Sequence, residues 1–189
     1  MKTETIQGRL LFLKEAENLK NVMHSSHTSK GRNESTAEHT WRLALLALVF
    51  EDELKELDFS RVLKMCLVHD LGETLSGDVP AIEKQNYPNK DVQERNDLLQ
   101  ITQSLDEPLR SSLLGLWEEY EAGQTQEAIA VKALDKLETI LQHNQGINPD
   151  DFNYEFNLTY GEKYTDKHPL FKSIREFLDA ETMQNLNNR

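Results

Sequence analysis

Apolar residues recur along this chain at intervals of three and four, and runs of strict alternation rich in Val, Ile and Thr are absent. That period predicts helices. The first covers about residues 5–21 and gives way to a polar segment from His24 to Glu34. Ser35 stands three residues before Glu38, the spacing of a capping box, so a second helix starts there and runs to about Glu53. Trp41, Leu43, Ala44, Leu45, Leu46, Leu48 and Val49 make it apolar on most sides, which predicts a central helix. A third opens near Ser60 and carries Val62, Leu63, Cys66 and Leu67 up to His69 and Asp70, before Gly77 and Pro80 break the chain. Polar helices follow at about 90–104 and 106–122. Gly123-Gln124-Thr125 opens another that reaches about His143 and is ended by Gly146 and Pro149. After an aromatic, irregular stretch around 151–168, the last helix lies near 169–185. The fold class is all-α, with about six helices around one core.

Composition narrows the class without changing the architecture. At 189 residues, 38% hydrophobic and 29% charged, the chain suits one globular domain spanning 1–189, and no repeat or shift in composition marks a second. A net charge of −12 counts against nucleic-acid polymers as partners, because such binding neutralises phosphates with Lys and Arg. A small anionic substrate requires local positive charge or a metal to overcome that field. The single cysteine, Cys66, permits no intrachain disulfide and reads as a buried thiol in a reducing compartment. The longest apolar run, Leu43 to Phe50, is 8 residues, against the ~20 of a membrane helix. With no apolar signal region in MKTETIQGRL, the expectation is a soluble, cytoplasmic protein with no membrane partner.

The chemistry concentrates in a few places. The stretch CLVHDLGETLSGDVP, residues 66–80, sets His69, Asp70 and Glu73 on the last turns of an otherwise apolar helix, with Asp78 in the glycine-containing turn beyond. His39 and Asp135 also sit on helices whose other residues read as buried. Buried imidazoles and carboxylates cost several kcal/mol unless paired or bound to a metal. Two of each form a donor set suited to a divalent ion, whose charge the two carboxylates cancel. Taken singly, a histidine on an apolar face is more often a hydrogen-bonded core residue than a ligand, and an aspartate inside a helix usually belongs to a solvated face.

Together they form the pattern H…HD…D. The segments ESTAEHTWRLAL (34–45), LVHDLGETLSGDVP (67–80) and LWEEYEAGQTQEAIAVKALDKLETILQ (116–142) resemble the HD-domain metal-dependent phosphohydrolase family. More narrowly, they resemble its small all-α branch that contains 5′-deoxynucleotidases. The resemblance spans about residues 9–145, leaving 146–189 as a C-terminal helical extension. It implies one catalytic divalent ion (Mn, Co, Fe, Ni, Zn or Mg) held by His39, His69, Asp70 and Asp135. It also implies Glu73 as the proton-handling residue and a nucleoside 5′-monophosphate as substrate, and a homodimer is the family expectation. Asp78 matches the position that contacts the sugar, although aspartate is also an ordinary turn residue.

Arg42, Lys132 and Arg32 are the bases close enough in sequence to serve a phosphate, and each is equally an ordinary solvated or paired base. The branch carries an arginine, with a tryptophan near it, ahead of its first metal histidine. The corresponding stretch here, VMHSSHTSKGRNE, offers His24 and His27. A protonated His24 donates to phosphate more weakly than a guanidinium does. The substrate is therefore open: other HD proteins cleave cyclic nucleotides, triphosphates or guanosine polyphosphate alarmones, and a nucleotide-sensing module with little turnover is the alternative outside enzymes. Glu38 is accounted for by the capping box. His143 and His168 are expected to have no catalytic part, and Met23, Met65 and the aromatics read as core filler.

Overall fold

The computed structural model describes residues 2–188. Helix α1 (Thr3–Ala16) tightens into a 3-10 turn at Glu17–Lys20, so the first predicted helix ends in two geometries. The polar segment after it is a hairpin, with β1 (Met23–His27) antiparallel to β2 (Asn33–Ser35). The sequence MHSSH has no strand-like alternation, and the hairpin is held from outside itself. Gln142 donates to the His27 carbonyl at 2.6 Å, the Ile147 amide to that of Thr28 at 3.1 Å, and the Thr36 amide to that of Val22 at 2.9 Å.

Helix α2 (Thr36–Val49) starts at the predicted capping box: Ser35 Oγ accepts from the Glu38 amide, and the Glu38 carboxylate accepts from the Ser35 amide at 2.9 Å. It stops at Val49, with Glu51–Glu53 forming a separate 3-10 turn. Thr36, His39, Thr40, Leu43 and Ala47 form its buried stripe. Trp41 and Val49, both 64% exposed, lie on the outer face with Leu45 and Leu48. The expectation of a helix buried on most sides is therefore overturned for α2. That place belongs to α6 (Gln126–Gln145), on which nearly every residue from Ala128 to His143 is buried. Met23 is likewise exposed, whereas Met65 is fully buried.

Helix α3 (Phe59–Val68) is capped by Asp58, whose carboxylate accepts from the Arg61 amide at 3.1 Å. It ends one residue before His69. Asp70 takes φ −100°, ψ 6°, and Leu71–Glu73 form a 3-10 turn, so Glu73 does not ride on a continuous α-helix. After a 3-10 segment at Ala81–Asn86 come α4 (Lys90–Ile101), α5 (Glu107–Ala122) and α6. The aromatic stretch contains a 3-10 turn, Tyr154–Leu158, and the short α7 (Glu162–Thr165) before α8 (Pro169–Asn187). Leu43, Val62, Met65, Leu98, Leu134, Leu137 and Ile140 pack in one core that Phe171 and Leu178 of α8 also enter. Each such side chain contributes roughly 1.5–3 kcal/mol on burial. Among the described residues no helix is long and apolar enough to cross a membrane.

Candidate metal centre

The buried stripe of α2, the end of α3 and the middle of α6 meet at one point. His39 Nε2 lies 3.3 Å from Asp135 Oδ1 and 3.9 Å from Asp70 Oδ2, while His69 Nε2 lies 3.0 Å from Asp70 Oδ2. One donor atom each from His39, His69 and Asp135 falls within 4.8 Å of the others. Donors bonded to one ion at ~2.0–2.2 Å are spaced at such distances.

The outward nitrogens fix the tautomers. His39 Nδ1 donates to the buried Glu138 carboxylate, and His69 Nδ1 donates to the Cys66 carbonyl at 2.9 Å. Both Nε2 lone pairs therefore point into the cluster, the arrangement that a neighbouring carboxylate or carbonyl imposes on metal-binding imidazoles. His69 Nε2 is buried without an aligned hydrogen-bond partner, although a carboxylate oxygen stands 3.0 Å away. Two acceptors facing each other at 3.0 Å call for a cation between them. Asp135 is oriented in the same way: its Oδ2 accepts from the Tyr120 hydroxyl and from Lys136 Nζ, each at 2.7 Å, and Oδ1 is left for the cluster. The residues present fit a single divalent ion.

The charges are prepared as well. A positive charge at this point is what the carboxylates need: burial works against the Asp70 anion, and His69 in its charged form holds the Asp70 pKa down at about 2. Burial also opposes ionisation of Asp135, and the Lys136 ammonium, with His39 in its charged form, outweighs it, keeping this carboxyl well below its ordinary range. Cys66 is pushed up to about 12 by burial, so it is an inert core thiol.

The cluster lines a cavity of about 650 Å³. Glu73 and Asp78 also line it, as do Lys132, Lys136 and Lys163, with Tyr160, Tyr164 and Phe156 of the segment before α8. Glu73 is buried; desolvation, with the charges of Asp70 and Asp78, pushes its carboxyl pKa upward while Lys90 pulls the other way. Its Oε1 accepts from Lys90 at 2.9 Å, and its Oε2 has no partner.

Residues 16–175 match the sequence profile of the family described as HD domain. The chain belongs to the HD-domain family. Within it, the chain is 33% identical to the 5′-deoxynucleotidase HDDC2 of Dictyostelium discoideum, over 91% of its own length and 97% of the relative's. Its identity to the Homo sapiens 5′-deoxynucleotidase HDDC2 is 37%, over 72% of this chain and 67% of that one. In fold it is similar to a protein from Magnetospirillum magnetotacticum MS-1 described as a predicted metal-dependent phosphohydrolase. The TM-score is 0.78 at 22% identity, covering 97% of this chain and 96% of the other.

The structure brings most of the HD-pattern residues together and places others apart. His39, His69, Asp70, Asp135, Glu73, Asp78, His24 and Lys132 all line the one cavity. His24 stacks on His39 with ring centroids 4.7 Å apart, and its Nε2 is 3.9 Å from Asp78. Lys132 Nζ sits 3.8 Å above the Tyr120 ring centre. Arg32 and Arg42 do not line the cavity. Arg32 pairs with Glu38 at the surface, and Arg42 reaches Gln142, Gln145 and, at 3.5 Å, Glu138. Glu138, Tyr120, Lys136 and Lys90 escaped the sequence reading. Glu138 carried a signal, since it lies one turn past Asp135 on a helix too apolar elsewhere for a stray carboxylate.

Proposed function

We propose that this chain is a metal-dependent phosphohydrolase that converts 2′-deoxynucleoside 5′-monophosphates to nucleoside and phosphate. The observation that carries the reading is the convergence of two tautomer-fixed imidazoles and two oriented carboxylates beside a buried glutamate with one free oxygen. Similarity to the named 5′-deoxynucleotidases over nearly the whole chain supports the substrate class.

His39, His69, Asp70 and Asp135 would hold a divalent ion, which would supply Lewis acidity towards a water and a phosphate oxygen. The chain's own residues do the rest. The attacking water loses a proton to Glu73 Oε2 as its oxygen bonds to phosphorus. The bond from phosphorus to the 5′-oxygen breaks, and that oxygen takes the proton back from Glu73 to leave as the nucleoside hydroxyl, so Glu73 is again a carboxylate at the end of the turn. Lys132 and Lys136, which line the cavity with Glu73, provide the positive charge with which an acidic protein must hold a dianion. Asp78, which lines the same cavity, accepts from a sugar hydroxyl. A second copy of the chain is the expected partner.

A phosphate-release screen tests the proposal. Deoxy- and ribonucleoside monophosphates, cyclic nucleotides and triphosphates are each supplied with Mn, Co, Fe, Mg, Zn or Ni. The expected result is highest turnover on deoxynucleoside monophosphates, with strict metal dependence. Turnover confined to cyclic nucleotides or triphosphates would overturn the substrate, and tight nucleotide binding without turnover would overturn the enzyme.

A further inference from the structure

Lys90 opens α4, seventeen residues beyond Glu73 in sequence, yet its ammonium lies among three carboxylates at the edge of the cavity. Nζ is 2.9 Å from Glu73 Oε1, 2.9 Å from Glu94 Oε1 and 3.3 Å from Asp78 Oδ1. The Lys90 side chain is only 9% exposed. The ammonium donates hydrogen bonds to Glu73 and Asp78 and is ion-paired with Glu94, so its charge is committed to three carboxylates rather than to a phosphate. A buried lysine so committed is not a substrate contact. Its effect falls on Glu73, whose Oε1 it holds and whose Oε2 is thereby turned, unpartnered, to the cavity.

The backbone shows how closely this is set. Gly72 packs against the first turns of α4, and a Cβ there would lie 2.7 Å from the Glu94 carbonyl oxygen. Only glycine lets the turn carrying Glu73 approach the helix carrying Lys90 and Glu94. Glu94 in turn fastens the ammonium from one helical turn further along α4.

We infer that Lys90 is a positioning residue for the hydrolysis: it pins one oxygen of Glu73 and leaves the other aimed at the attacking water, while joining Glu73 to the sugar-side Asp78. This rests on the reading of Glu73 as the proton acceptor. Without the ammonium, Glu73, Asp78 and Glu94 repel one another, and Glu73 loses its fixed rotamer while the metal donors stay in place.

The test uses the metal-loaded full chain. For Lys90→Met, kcat on a deoxynucleoside monophosphate should fall tenfold or more, with KM within threefold and one metal equivalent retained. Lys90→Ala should regain part of the loss with added ethylammonium, and Lys90→Ala combined with Glu73→Gln should not. Melting temperatures supply a readout independent of turnover: Lys90→Met and Glu73→Gln should together cost less than the sum of their separate losses, as paired residues do. Additive melting losses, or a kcat for Lys90→Met within twofold of wild type, would overturn the inference. Loss of bound metal in Lys90→Met would overturn it too, by assigning Lys90 to the metal site. If the wild type released no phosphate from any nucleotide, the functional reading would fail by itself, and the melting cycle would still decide whether Lys90 holds Glu73.

Discussion

Tyr120 donates its hydroxyl to Asp135 Oδ2 at 2.7 Å, and Asp135 thereby presents Oδ1 to His39. The tyrosine ring also meets the His69 ring edge-on, with centroids 5.1 Å apart. One side chain thus braces two of the proposed ligands. Tyr120→Phe keeps the ring and removes the hydroxyl, so metal affinity should fall by about 10–100-fold, the usual cost of a lost outer hydrogen bond at a metal site. Calorimetric titration with Mn²⁺ measures it. Unchanged affinity would leave the orientation of Asp135 to Lys136.

Glu73→Gln keeps the size of the side chain and removes its capacity to take up a proton. Turnover should fall about 10²-fold or more, the scale of a lost general acid–base group, with one metal equivalent retained. Steady-state kinetics with metal analysis decides it. Weakened metal binding with turnover within a few-fold of wild type would make Glu73 a ligand.

The bases divide by position. Lys132 lines the cavity and Arg32 does not. Lys132→Met should raise KM for a monophosphate about tenfold or more, since a hydrogen bond to a charged group contributes roughly 1.5–3 kcal/mol. Arg32→Ala should leave KM within twofold. An effect of Arg32 equal to that of Lys132 would place the phosphate outside the cavity.

His143 gives the fold a sensitivity to acid. Burial depresses its pKa to about 4, against the pull of its hydrogen bond to Asn157. The unfolded chain binds this proton near pH 6.5 and the folded chain only near 4. The contribution to stability is therefore complete above about 6.5 and lost as pH falls towards 4, to a limit of about 3 kcal/mol. The drop in melting temperature between pH 7.5 and pH 5 should be larger for wild type than for His143→Gln. Equal drops would show that His143 titrates normally.

What could be read from the sequence followed from local rules. The Ser35–Glu38 box, the Gly146 stop, the helices bearing His39 and Asp135 and the helix that leads up to His69 all stand where spacing and capping place them. What escaped depends on contacts between distant segments. The hairpin at 23–35 owes its form to Gln142 and Ile147, more than a hundred residues away. Trp41, Leu45 and Leu48 continue the apolar pattern of α2 but lie on the face that no other helix covers. Lys90 was invisible because the charge beside it in sequence, Asp91, is not the charge it meets in space. It finds Glu73 only through the approach that Gly72 permits.

Phe171 and Leu178, from the last helix, share one core with Leu137 and Ile140, and Asn144 donates to the Leu178 carbonyl at 2.9 Å. A chain cut after Gly146 would keep all four donors, Glu73 and Lys90, so by motif it would still look complete. It would, however, bare a flank of α6 to water and lose the aromatic side chains of Phe156, Tyr160 and Tyr164 that line the cavity. Such a fragment should bind hydrophobic dyes and self-associate, which makes the last forty or so residues indispensable to solubility rather than an accessory to be trimmed.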